Sequence, residues 1–196
     1  LSLSGNEFIT HFNSWVQLIR ELDSDHPVTS AFPGIGRRMV ATKSLHNLHL
    51  DFLCFNFFGA ANSVKTRISQ LTPFWRGAFL VTEWGINGPW EAWETTSWGA
   101  PVEQTSSKKA EIYRERYTQI RELFPERFLG SFFFYWGQKQ ERTPTGFGML
   151  TEDGNLTQAV DAMQYAWTGE WPANRTPVVN AMRLDGKTAT ESVVLR

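Results

Sequence analysis

Apolar positions recur along the chain in two alternating rhythms. Leu1 to Ser4 form a short run of strand length, and Phe8, Ile9, Phe12, Trp15, Val16, Ile19 and Leu22 follow at helical spacing until Asp23 to Pro27 interrupts them. The stretch 28–34 is a second strand candidate, and 37–48 a weakly patterned helix. Residues 51–59, DFLCFNFFG, are almost wholly apolar, as a strand covered on both faces would be. A helix over 63–75 is predicted to end or kink at Pro73, and AFLVTEWG at 78–85 reads as a fourth strand. Ala110, Tyr113, Tyr117, Ile120 and Phe124 mark a helix over 106–124, RFLGSFFFYWG at 127–137 marks a fifth strand, and 156–167 a final helix.

Repeated strand–helix units with apolar strands imply an α/β fold with a parallel sheet under helices, either an open doubly wound sheet or a (β/α)8 barrel. No strand-to-helix turn carries a G-x-G-x-x-G or Walker-type phosphate loop, which removes the usual nucleotide reading of the open sheet. The polar, Trp-rich stretch 86–104 exceeds an ordinary connection, so it is expected to be functional or mobile. Pro and Gly punctuate the chain after Trp167, and VVNAMRLDGKTATESVVLR reads as two short strands around Asp185-Gly186. The expected domains are therefore 1–170, an α/β catalytic unit; 171–177, a linker; and 178–196, the truncated start of an all-β domain.

Composition narrows the partners. The 196 residues are 41% hydrophobic with a net charge of -1, and no basic run or basic amphipathic stripe appears, so neither nucleic acid nor an anionic membrane is an expected partner. No stretch approaches the roughly 20 apolar residues of a membrane-spanning helix. Cys54 is alone, which excludes an internal disulfide. Nine Trp and fifteen Phe against four Tyr supply flat apolar surfaces of the kind on which sugar rings stack.

In parallel strand–helix folds the C-terminal strand ends form the active face. Two strand ends carry a glutamate: Glu7 in SGNE and Glu83 in VTEWG. A carboxylate there can simply complement the next helix N-terminus, a reading that fits Glu7 but not Glu83, which a long loop follows. As a pair they suit retaining glycoside hydrolysis, in which one carboxyl is protonated and donates to the leaving oxygen. The other is ionised and attacks the anomeric carbon from roughly 5–5.5 Å away. Aromatic walls would separate the two pKa values by desolvation.

These residues carry a resemblance. LSLSGNE…WVQLIRELDSDHPVT resembles the segment of glycoside hydrolase family 2, in clan A, where a strand ends in Gly-Asn-Glu and the next helix runs to an Asp-x-x-x-Pro-Val stretch. FLVTEWG is similar to that clan's seventh strand with its nucleophile, and GSFFFYWG to its eighth with a Trp. The resemblance covers about 1–168, with the glutamates 76 residues apart. It implies a partial TIM barrel, strands four to eight, with Glu7 as acid/base and Glu83 as nucleophile. It also implies sugar contacts from Asn6, to the 2-hydroxyl, and from Asn56, Trp84 and Trp136, the last as floor of the cleavage site. Where many relatives place a Tyr that bonds the nucleophile, this chain has Phe57 and Phe58.

On this reading Leu1 stands in strand four, so the first three strands are expected upstream and the fragment alone is expected to be inactive. The parent is expected to be a retaining β-glycoside hydrolase acting on β-linked oligo- or polysaccharide, without cofactor. The alternatives are a β-glucan transglycosylase and a non-catalytic carbohydrate-binding or scaffold barrel, which the missing hydroxyl favours. Neither compartment nor oligomeric state is written in the sequence, although an extracellular or periplasmic setting fits the parent. His46 and His49 lack acidic or Cys partners at ligand spacing, so no metal site is expected. Trp84, Trp90, Trp93 and Trp98 are read as sugar platforms or as the loop's own core, and Glu91, Glu94 and Glu141 as solvated or rim charges.

Overall fold

The computed structural model describes residues 5–35, 47–59, 64–91, 94–138, 146–179, 181, 183–184 and 187–188. The expected first strand over 1–4, most of the expected helix over 37–48, and His46, Trp93 and Glu141 lie outside them. In chain order come α1 (Gly5–Leu22), β1 (Ala31–Phe32), β2 (Leu53–Phe57), α2 (Val64–Leu71), β3 (Phe79–Trp84), α3 (Ser106–Leu123), β4 (Phe128–Phe133), α4 (Gln158–Thr168), β5 (Arg183–Leu184) and β6 (Lys187–Thr188). Strands β1 to β4 form one parallel sheet in sequence order, with α2 between β2 and β3 and α3 between β3 and β4. The short β5 and β6 pair antiparallel on either side of Asp185-Gly186, matching the two strands read there.

Local chemistry sets the boundaries. Thr105 caps α3, its hydroxyl accepting from the Lys108 N–H, and Gly169 ends α4 in the left-handed conformation that glycine adopts without strain. Helix α2 stops at Leu71, two residues before Pro73, which cannot continue the i to i−4 ladder. Glu7 lies in the first turn of α1 and Arg20 in its last, both favourable to the helix dipole.

One face of the sheet is sealed by helices. Leu53, Phe55 and Phe57 of β2 and Phe79, Val81 and Trp84 of β3 are buried there with Ile68 and Leu71 of α2 and Tyr113 and Ile120 of α3. Asp51 ties the opening helix to the sheet: its carboxylate accepts from the Val28 N–H at 2.6 Å and from Arg20 at 2.9 Å. These bonds, the backbone one foremost, hold the Asp51 carboxyl below the usual range. Arg127 ties together the bases of β3 and β4, donating to the carbonyls of Gly77 and Trp75 and to the Thr72 hydroxyl.

Candidate active site

The site is set by an irregularity in β3. Cys54 of β2 pairs with Leu80 and Phe55 with Val81, but Asn56 pairs with Glu83 and Phe57 with Trp84. Thr82 is therefore an extra residue on β3, and the pairing with β4 skips at the same place, from Val81–Ser131 to Trp84–Phe133. Strict alternation would put Glu83 beside Val81, on the helix-covered face. The bulge puts it on the opposite face, with Asn56 and Leu80, and turns Trp84 under the helices. Paired residues on neighbouring strands stand about 4.8 Å apart, so Asn56 and Glu83 are side by side at the C-terminal strand ends. The bulged Thr82 stitches the arrangement: its hydroxyl lies 2.8 Å from Asn56 Oδ1 and 3.3 Å from the Phe55 carbonyl. Its one proton thus holds the Asn56 oxygen and leaves the amide nitrogen to donate elsewhere.

Of the expected site residues, the structure brings together Asn56 and Glu83. Both are half-buried. Asn6 and Glu7 are exposed on the first turn of α1, which places Glu7 at a helix N-terminus; the strand expected just before it falls outside the described residues. Trp84, expected against the sugar, is corrected to a packing residue, because the bulge turns it inward. It is fully buried against Tyr113, Tyr117 and Phe133, and its Nε1 has no acceptor among the described residues. Trp136 is exposed and stacks 5.5 Å from Phe133, which stacks in turn on Trp167. Among the described residues no His, Cys, Asp and Glu group could hold a metal ion, and no helix is long and apolar enough to cross a membrane.

The loop after Glu83 is pinned rather than loose. Helix α3 buries Lys109, Tyr113, Arg116 and Ile120 at i, i+4, i+7 and i+11, one face that carries two cations. Arg116 donates to the Gly85 carbonyl and, at 2.5 Å, to Asn87 Oδ1. Burial lowers its pKa, partly opposed by the nearby Glu91 charge. Tyr113 donates to the Phe147 carbonyl at 3.1 Å, and burial pushes its phenol well up. Lys109 pairs with Glu103 and reaches the Gly146 carbonyl; burial lowers its pKa against the pull of Glu103.

Glu91 corrects a second expectation. Read as a solvated or rim charge, it is half-buried, and its carboxylate accepts the Gly59 N–H at 2.7 Å and the Gly88 N–H at 3.3 Å. A β-carbon on Gly59 would stand 2.7 Å from that carboxylate, so the glycine is what lets it approach. Sequence reasoning missed this brace and the two α3 cations; the spacing of Lys109, Tyr113, Arg116 and Ile120 was the available signal for the latter.

No protein-family model matches the sequence, and no curated protein does. Solved structures do. The GH53 catalytic domain of Ignisphaera aggregans aligns over 83% of this chain and 52% of its own, with TM-score 0.62 at 11% identity. A GH39 β-xylosidase from Caulobacter crescentus aligns over 83% and 37%, with TM-score 0.53 at 14% identity. A GH128 exo-β-1,3-glucanase from Aureobasidium namibiae aligns over 84% and 61%, with TM-score 0.54 at 12% identity. This likeness shows the fold: an α/β sector of a TIM barrel of the kind found in glycoside hydrolases. The chain spans about two fifths to three fifths of the lengths of these relatives.

Proposed function

We propose that this chain carries the carboxylates of a retaining β-glycoside hydrolase of clan A, most similar to family 2, with Glu83 as nucleophile and Glu7 as acid/base. The observation that carries the reading is the bulge at Thr82, which takes Glu83 out of the helix-covered core and sets it beside Asn56 at the C-terminal strand ends. That is the active edge of this architecture. The carboxylate of Glu83 has no hydrogen-bond or ion-pair partner among the described residues, which suits a group that must reach an anomeric carbon. Asn56, its oxygen held by Thr82, would donate through its amide nitrogen to a sugar hydroxyl, and Asn6 would do so from α1. Trp136 would contribute its exposed ring as a wall. The substrate class is β-linked oligo- or polysaccharide, in keeping with neighbours named for xylosidase and glucanase activity.

In the full-length protein a 2-fluoro glycoside should leave a covalent sugar on Glu83, found by peptide mass spectrometry. Glu83→Gln should abolish both labelling and turnover, and label on another residue would overturn the assignment. Glu7→Ala should retain glycosylation by substrates with phenolate leaving groups, which need little protonation, and azide should rescue its deglycosylation. Equal slowing of activated and natural substrates, without azide rescue, would reduce Glu7 to a helix-terminal carboxylate. A second reading, a non-catalytic carbohydrate-binding barrel, is favoured by Phe57 and Phe58, which offer Glu83 no hydroxyl. Absence of any turnover of aryl β-glycosides by the full-length protein would select it.

A further inference from the structure

Trp90 is 66% exposed, yet it is not a loose surface side chain. Its ring lies 5.8 Å from Phe58, edge to face, and 5.9 Å from Phe147. Those two rings are 5.2 Å apart and both pack on Phe134. The backbone beneath is equally fixed. Trp90 is the middle residue of a single 3-10 turn, Pro89–Glu91, whose Glu91 N–H donates to the Gly88 carbonyl at 2.8 Å. The Glu91 side chain fastens that turn to Gly59 at the end of β2. The indole lies across Gly88 so closely that a β-carbon there would stand 2.5–2.6 Å from three of its atoms. Phe58 follows directly on the last residue of β2, two positions beyond Asn56, and Trp90 stands seven residues beyond Glu83 in the segment that follows β3. The supported indole is therefore carried just past the C-terminal ends of β2 and β3, the two strands that bear Asn56 and Glu83.

We infer that Trp90 is a preorganised stacking platform for a sugar unit of a bound oligosaccharide, a subsite flanking the one at Glu83. An exposed indole whose orientation is already set loses little conformational freedom on stacking against the apolar face of a pyranose, which is what makes an aromatic anchor effective. Trp98, 80% exposed, is the comparison within the same chain: no ring contact supports it among the described residues. The sugar identity of the ligand rests on the hydrolase reading above; the platform itself is tested by binding.

The experiment uses the full-length protein carrying Glu83→Gln, to prevent cleavage, titrated calorimetrically with β-1,4-glucan, β-1,3-glucan and β-1,4-xylan hexasaccharides. Trp90→Ala should raise the Kd of the best-bound hexasaccharide at least about tenfold, Trp90→Phe should restore most of the affinity, and Trp98→Ala should leave it unchanged. Gly88→Ala, which keeps the indole but drives it off its seat, should weaken binding as Trp90→Ala does. Unaltered affinity in Trp90→Ala, an equal loss in Trp98→Ala, or no binding of any hexasaccharide would overturn the inference. Turnover of a short aryl β-glycoside by the protein with native Glu83 separates the two claims. Turnover with affinity indifferent to Trp90 removes the platform and leaves the hydrolase; platform-dependent binding without turnover does the reverse.

Discussion

Arg116→Met tests whether the segment after Glu83 is held from behind. The native guanidinium is 5% exposed and bonds two acceptors, the buried Gly85 carbonyl and the half-buried Asn87 side chain. Methionine keeps much of the apolar stem and removes both donors. A buried acceptor left without a partner costs about 1–3 kcal/mol; Gly85 falls in the upper part of that range, and Asn87, reachable by water, in the lower. Against this, the variant no longer desolvates a cation, a cost visible in the lowered pKa of Arg116. The net loss is then about 2–3 kcal/mol, which for a domain of this size lowers Tm by about 4–12 °C. Urea melts of wild type and variant, with the m-value checked for constancy, measure it. Arg116→Lys should fall between the two, because one ammonium cannot span both acceptors as the planar fork does. A variant within about 0.5 kcal/mol of wild type, the spread of ordinary surface changes, would refute the reasoning.

Two further outcomes follow from bonds described above. Asp51 has its pKa depressed in the folded protein, chiefly by the Val28 N–H, so its stabilisation is complete above the unfolded carboxylate pKa and is lost as pH falls through the folded one. Asp51→Asn should therefore be less stable than wild type at pH 7, and the gap should close below about pH 4, as read from denaturation midpoints across pH. A gap that is constant with pH would remove the carboxylate from the account. Gly59→Ala should force the Glu91 carboxylate away and cost about 1–2 kcal/mol, while adding little in a Glu91→Ala background, where the side chain it would strike is gone. Additive losses in that cycle would mean that the two residues do not act together.

The element order was legible because β2, β3 and the helices obey their own periodicities strongly. Phe8 to Leu22 gives α1, and the apolar DFLCFNFFG gives a buried strand. Pro73 marks where α2 has ended. The face of Glu83 was not legible. Alternation read from the letters alone puts it with Phe79 and Val81, and only the pairing with β2 and β4 exposes Thr82 as supernumerary. The same cause hid the burial of Trp84, since an indole next to a candidate nucleophile looks like a sugar contact until its face is known. Glu91 looked like a rim charge because its partners are backbone N–H groups, which the side-chain pattern does not register. Residues 86–104 read as a long loop for a related reason. The order of the described residues there comes from a 3-10 turn, a bridge between Thr95 and Pro101, and the buried donors of α3, and none of these has a periodicity.

The bulge also gives β3 a tolerance that strands rarely have. Losing one residue from a half-buried strand ordinarily inverts everything beyond the cut, exchanging inside for outside. In β3 the inversion has already been absorbed. A chain lacking Thr82, or one in which Thr82 takes the place of a lost Val81, would run in unbroken alternation with Glu83 still on the open face and Trp84 still under α3. The spare residue is slack in the ladder, so a shortening event there would remove the hydroxyl that steadies Asn56 and spare the orientation of the carboxylate. In a fold that diverges by insertions and deletions as well as by substitutions, the carboxylate proposed as nucleophile stands beside the place where length can change at least cost.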